Sequence, residues 1–147
     1  MSKALIIYGS STGNTEFTAE TIAAVLSDSG YDVTVRNAAD TGISVLDGKY
    51  DRYFLGCSTW GEDEIELQED FESFFDDMTQ LDSLKGKAFS LFGCGDSSYT
   101  YFCGAVDLLE ELVRKLGGNQ AGTSLRIDGE PEEQEIREWT EEVLDAA

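Results

Sequence analysis

The feature that most constrains this chain is a repeated change of hydrophobic period. Ala4-Leu5-Ile6-Ile7-Tyr8 is a short continuous apolar run ending at Gly9, the pattern of a strand buried on both faces. The next segment places Ala19, Ile22, Ala23 and Leu26 at helical spacing, and Gly30 stops it. The alternation then continues. Asp32 to Asn37 reads as a strand with Val33 and Val35 on one face, and Tyr53 to Cys57 as a second buried run. Phe71, Phe74, Phe75 and Met78 make a helical stripe, Ala88 to Phe92 a strand, and Val106, Leu109, Leu112, Val113 and Leu116 a helical face closed by Gly117-Gly118. Ser124 to Ile127 reads as a short last strand. Ile136, Trp139, Val143 and Leu144 mark a final helix, with Pro131 suited to its first turn. Strands alternating with helices imply a parallel sheet covered on both faces, so the fold class is a three-layer α/β domain. In such sheets ligands bind beyond the carboxyl ends of the strands, at the point where strand order reverses.

Composition then removes function classes. The chain of 147 residues contains no histidine, which excludes Ser-His-Asp and Cys-His nucleophile activation and most zinc or haem ligation. Ten basic and 30 acidic residues give a formal charge of −20. That charge disfavours nucleic acid and anionic lipid and favours basic protein surfaces. Cys57, Cys94 and Cys103 form no C-x-x-C pair and read as reduced packing thiols of a cytoplasmic protein. No targeting segment or membrane span is expected from the pattern.

Three loops carry the candidate chemistry. After the first strand comes Gly9-Ser10-Ser11-Thr12-Gly13-Asn14-Thr15, opening into a helix. Glycines permit the turn, the first helical N–H groups point outward, and hydroxyl and amide side chains add donors: a phosphate nest built without Lys or Arg. It lacks the G-K-[ST] of a Walker loop, and Ser11 replaces the second glycine of the dinucleotide fingerprint. It matches G-x-S-x-G formally, but no histidine exists to complete a hydrolase triad. After the third strand, Ser58-Thr59-Trp60-Gly61 sets an indole beside a glycine. After the fourth, Gly93-Cys94-Gly95-Asp96-Ser97-Ser98-Tyr99-Thr100-Tyr101-Phe102-Cys103 offers further aromatics among small residues. One phosphate nest and two aromatic walls describe a pocket for a flat phosphorylated heteroaromatic ligand.

Ser10 to Thr15, Gly56 to Gly61 and Gly93 to Tyr99, continued by Ile65-Glu66-Leu67-Gln68 and Tyr101 to Asp107, closely resemble the flavodoxins, in particular the short-chain type of sulfate-reducing bacteria. The resemblance runs from Lys3 to the final helix. It implies a single flavodoxin-like domain over 1–147, with a five-stranded parallel sheet of order 2-1-3-4-5, and non-covalently bound FMN. It implies that Ser10, Ser11, Thr12, Gly13, Asn14 and Thr15 hold the phosphate, with Ser58 assisting. Trp60 and Tyr99 would then flank the ring. Thr59, Cys94, Gly95, Asp96, Tyr101, Phe102 and Cys103 would line it, and Gly61 would present its carbonyl to flavin N5. No metal site is implied. Arg52 and Glu72 stand where this family usually has apolar residues.

Lys and Arg are absent from windows 4–35, 53–84 and 88–113, each of which holds one of the three loops. Carboxylates without cations around a buried ring disfavour an anionic reduced flavin and so lower its potential. The expected activity is therefore low-potential one-electron transfer between neutral semiquinone and anionic hydroquinone, in a monomeric carrier rather than an enzyme. Expected partners are cytochromes and hydrogenase or oxidoreductase modules with lysine-rich faces, attracted by the acidic loops. The alternative is a small FMN-dependent quinone reductase. A response-regulator receiver would need acidic residues where Tyr8-Gly9 and Cys57 stand, and a low-molecular-weight phosphatase would need C-x5-R in the first loop. Glu62 to Asp70 lacks the spacing of a calcium loop.

Overall fold

A computed structural model describes residues 2–9, 13–42, 45–46, 50–57, 59–60, 66–67, 69–81, 84–95 and 104–145. The parallel sheet contains β1 (Lys3–Gly9), β2 (Asp32–Asn37), β3 (Arg52–Cys57) and β4 (Ala88–Gly95). Its edge strand β5 comes in two pieces, Asn119–Gln120 and Leu125–Asp128. The order is β2-β1-β3-β4-β5. Four helices complete the layers: α1 (Asn14–Asp28), α2 (Glu69–Met78), α3 (Gly104–Lys115) and α4 (Glu133–Asp145). The α/β class, the strand order and the covering of both faces are as the sequence and its resemblance imply.

The pleat sorts the strand residues between two cores. Leu5, Ile7, Tyr53, Leu55, Phe89 and Leu91 pack with α2 and α3, through Phe71, Phe74, Met78, Val106 and Leu109. Ala4, Ile6, Phe54 and Phe92 pack with α1 and α4, through Ala19, Ile22, Leu26, Ile136, Trp139 and Val143. This explains the continuous apolar runs: successive side chains enter opposite cores, and both cores are apolar. Tyr53 and Phe89 stack at 5.1 Å on one side, and Phe54 meets the edge of Trp139 at 6.0 Å on the other. No helix among the described residues is long and apolar enough to cross a membrane.

Several boundaries differ from the sequence reading. β4 runs on to Gly95, because Gly93, Cys94 and Gly95 pair with Arg126, Ile127 and Asp128. A distant strand thus recruits what reads locally as glycine-rich loop. The last strand starts at Leu125 rather than Ser124, and the edge is interrupted at Ala121. There Phe89 O accepts from Ala121 N–H at 2.7 Å, and the buried Ser90 hydroxyl donates to Ala121 O at 2.9 Å. Pro131 lies before α4 rather than in its first turn. Helix α4 starts at Glu133, and Ile136 N–H donates to Glu132 O at 3.2 Å, so Glu132 is the capping position. Gly30 and Gly117 do end their helices. In each case the N–H groups of the glycine and of the next residue turn back to the last carbonyls, Gly30 N to Ser27 O and Tyr31 N to Leu26 O, Gly117 N to Arg114 O and Gly118 N to Val113 O.

Arg52 and Glu72, the two departures noted in the sequence, have opposite outcomes. Glu72 is simply exposed on α2. Arg52 is buried on the α1/α4 face. It donates to the Tyr31 hydroxyl at 2.9 Å and to the carbonyls of Val143 and Leu144 at 3.3 Å each. It thereby serves the carboxyl terminus of α4, whose own last turn contains no basic residue.

Candidate functional site

The carboxyl ends of β1, β3 and β4 lie side by side, with Gly9 opposite Cys57 and Gly56 opposite Phe92. This is the switch point of the sheet, where β1 feeds α1 on one face and β4 feeds α3 on the other. Of the predicted phosphate residues, Gly13, Asn14 and Thr15 are described here; Ser10, Ser11 and Thr12 lie outside the described residues. Gly13 caps α1 with φ +91°, and no atom stands within 4 Å of where its Cβ would be. That backbone conformation suits glycine at the amino terminus of a 15-residue helix. The first α1 carbonyl engaged is that of Gly13, which accepts from Phe17 N–H at 2.9 Å. A cleft at this helix start is lined by Gly13, Asn14, Phe17, Glu130 and Pro131. Phe17 is 42% exposed, the one large apolar side chain so exposed among the described residues.

Tyr8, beside the helix start, donates from its hydroxyl to Glu16 at 3.3 Å. Burial and the neighbouring Glu16 carboxylate push the Tyr8 phenol above its ordinary value, so it remains a donor.

The second predicted loop is described only in part. Thr59–Trp60 pairs antiparallel with Glu66–Leu67 as a two-residue ribbon, where the sequence reads as plain loop. Ser58 and Gly61 lie outside the described residues. In the third, Cys94 and Gly95 end β4, whereas Asp96, Tyr99, Tyr101, Phe102 and Cys103 fall outside the described residues. Cys57 and Cys94 are both buried, free of disulfides, and placed in strands.

Thr18 is a site-adjacent residue that the sequence reading passed over. It is wholly buried and its hydroxyl lies 3.8 Å from the Cys94 sulfur. The available signal was its spacing: Thr15, Thr18, Ala19 and Ile22 share one helical face, so two hydroxyls sit on the side that also carries core residues.

Most of the described cations stand at one pole of the sheet, with Arg36 of β2 near the other. Lys3, Arg52, Lys85 and Lys87 stand at or just before the amino ends of β1, β3 and β4, and Arg114 and Lys115 end α3 at that same pole. Toward the carboxyl pole, Arg126 of β5 is held by two α3 carboxylates, Asp107 and Glu110, the latter at 2.8 Å. Glu110 also accepts from the Ser124 hydroxyl at 2.7 Å. Partial burial pushes the Glu110 carboxyl up, but the Ser124 and Arg126 hydrogen bonds outweigh it and hold the group below the usual carboxylate range. A carboxylate depressed in the folded state contributes stability above its unfolded pKa of about 4.3 and loses it as pH falls through the folded value. Wild type should therefore be more stable than Glu110→Gln at neutral pH. The two urea midpoints should begin to approach each other as pH falls below the unfolded value and converge once it has passed through the lower folded one. A gap unchanged by acidification would show that Glu110 acts through packing alone.

A family model described as Flavodoxin matches residues 6–141. The chain is 52% identical over 145 residues to the flavodoxin of Maridesulfovibrio salexigens, with 99% of each chain covered. It is 44% identical over 148 residues to the flavodoxin of Nitratidesulfovibrio vulgaris strain Miyazaki F, again with 99% of each covered. The crystal structure of oxidised flavodoxin 1 from Bacillus cereus superposes with a TM-score of 0.88 at 30% identity, over 99% of both chains. With the strand order and this likeness over 99% of the chain in hand, the chain belongs to the flavodoxin family.

Proposed function

We propose that this chain is a single-domain, low-potential one-electron carrier, monomeric and cytoplasmic, that docks on basic redox proteins. Flavodoxins bind FMN and carry electrons between redox partners. The observation that carries the reading for this chain is the amino terminus of α1. It emerges at Gly13 beside the carboxyl ends of β1 and β4, with no Lys or Arg in its first turn. A phosphate dianion fits there, because the helix dipole and outward N–H groups favour it without a basic side chain. The first-turn hydroxyl and amide of Thr15 and Asn14 are donors of the right kind.

FMN when bound supplies two separable one-electron steps, of which the chain would use the lower, between neutral semiquinone and anionic hydroquinone. The residues do the rest. Ser10, Ser11, Thr12, Gly13, Asn14, Thr15 and Ser58 would bind the phosphate. Trp60 and Tyr99 would exclude water from the ring faces. Thr59, Cys94, Gly95, Asp96, Tyr101, Phe102 and Cys103 would line the ring, and the Gly61 carbonyl would accept a hydrogen bond from a protonated N5. Arg36 and Arg126 stand toward the carboxyl pole, but windows 4–35, 53–84 and 88–113, which hold the three loops, contain no Lys or Arg. That distribution disfavours a negative charge on the ring and attracts basic partners, cytochromes or hydrogenase and oxidoreductase modules, in a salt-dependent way.

Stepwise anaerobic reduction of the FMN-loaded protein, followed by absorption, tests this. A long-wavelength blue species that rises and then falls as reductant is added is the expected result. Direct passage to the two-electron form, with turnover of NAD(P)H and a quinone, would favour the reductase reading instead. Failure to bind FMN would sink both.

A further inference from the structure

Phe17 faces outward from α1, while Thr18, Ala19 and Ile22 of the same helix are buried. A lone exposed ring is ordinary on a protein surface, and its setting decides what it can do. Phe17 and Pro131 are the apolar members of a cleft of about 320 Å³ between the start of α1 and the segment before α4, with Asn14 and Glu130 beside them. A small-molecule site encloses most of its ligand. This cleft is wide-mouthed and suits a side chain presented by a larger partner. The neighbouring side chains are acidic. Glu130 lines the cleft, Glu132 follows Pro131, and Glu16 and Glu20 flank Phe17 on α1; all four are exposed. Windows 4–35 and 127–136 contain no Lys or Arg. Arg137, the next cation along α4, is already paired with Glu133 at 3.0 Å.

We propose that Phe17 and Pro131 form the apolar centre of a docking site for a basic redox protein, which seats one apolar side chain against the ring and sets lysines or arginines on Glu16, Glu20, Glu130 and Glu132. The inference rests on the reading that partners of this chain are basic. An apolar centre inside a charged rim is the ordinary anatomy of a protein interface, with an aromatic residue as its anchor. A second copy of the chain fits poorly, because it would bring the same carboxylates against these. The rim speeds encounter by long-range attraction, whereas the ring holds the complex once formed, so salt separates the two contributions. Substituting Phe17 leaves the helix its bonds. Phe17 N–H donates to Gly13 O at 2.9 Å and Phe17 O accepts from the Thr21 hydroxyl at 3.0 Å, and neither bond uses the side chain of Phe17.

The experiment titrates the FMN-loaded protein against an immobilised lysine-rich cytochrome c over a range of salt concentrations, for wild type, Phe17→Ala, Phe17→Tyr, Glu130→Gln and Glu141→Gln. Glu141 is also exposed but lies about 12 Å along α4 from its first residue, so its variant removes the same charge away from the cleft. Phe17→Ala should weaken binding about tenfold at every salt concentration, the scale of burying the exposed part of a phenylalanine side chain. Phe17→Tyr, which keeps the ring, should stay within about twofold of wild type. Glu130→Gln should weaken binding about threefold at low salt and not at high salt, and Glu141→Gln should stay near wild type throughout. Wild-type binding by Phe17→Ala, or equal losses in Glu130→Gln and Glu141→Gln, would overturn the proposal. So would a fall in FMN affinity in Phe17→Ala, which would assign the ring to the cofactor site, or a wild-type dimer in sedimentation that Phe17→Ala abolishes, which would make a second copy the occupant. Absence of cytochrome binding by wild type at low salt would overturn the basic-partner reading itself, a failure visible apart from the others.

Discussion

Replacing Gly93 by alanine is expected to cost about 3 kcal/mol of stability, the upper end for forcing a methyl into a packed core. In a chain of this size that is a fall of roughly 10 °C in thermal midpoint. A Cβ at this position would stand 2.6 Å from the Cys57 carbonyl oxygen and 2.5 Å from Cγ2 of Val106. Neither neighbour yields easily. Cys57 O belongs to the backbone of β3, and Val106 is wholly buried in the first turn of α3. Making room means separating the carboxyl ends of β3 and β4 or lifting the start of α3. Those ends launch the segments that hold Ser58 to Gly61 and Asp96 to Cys103, so FMN affinity should fall at least tenfold together with stability. Calorimetry and an FMN fluorescence titration on the same preparation check both effects. Wild-type values in both would show that the two strand ends are more compliant than their packing implies.

Arg52→Met should cost about 2–3 kcal/mol while leaving FMN affinity unchanged. Methionine keeps much of the buried stem but removes the donors to Tyr31, Val143 and Leu144. The last carbonyls of a helix have no partner within it and carry the negative end of its dipole. Helix α4 has no basic residue of its own there, and α1 packs along it. Losing Arg52 therefore leaves carbonyls under-satisfied in a mostly buried setting. Because Arg52 lies at the amino end of β3, the opposite pole from the α1 start, the cofactor site should not sense the change. Stability should be measured at a fixed excess of FMN, since a ligand that binds only the folded state adds to the apparent value. A parallel loss of FMN affinity would mean that the two poles of the sheet are coupled.

Much of this fold was legible because its elements are locally consistent. The apolar run at Ala4 to Tyr8 and the helical stripe from Ala19 to Leu26 specify strand and helix by period alone. Gly30 and Gly117 punctuate helices for a reason internal to each helix end. Periodicity did not reveal strand order; that came with the three loop motifs. The candidate site was read from the same motifs. The structure places Gly13, Asn14 and Thr15 at the start of α1, as the helix pattern implies. The miss at Thr18 has a plain cause. A threonine on a helix face tells nothing of the thiol that meets it, because Cys94 is 76 residues away.

Local pattern by itself determined which segments are strands and helices, which end of the sheet bears the motif loops, and that the chain is strongly acidic. Those properties depend on neighbours within a few residues, or on composition, and need no fold to be evaluated. Tertiary structure alone decided the meaning of Arg52 and Gly93. Arg52 looks like a misplaced charge until the end of α4, 91 residues later, is laid against it. Gly93 reads as the start of a loop until β5 extends β4 and Cys57 and Val106 close around it. Each role is a contact across large sequence separation, and such contacts are created only when strand order and helix packing bring the partners together.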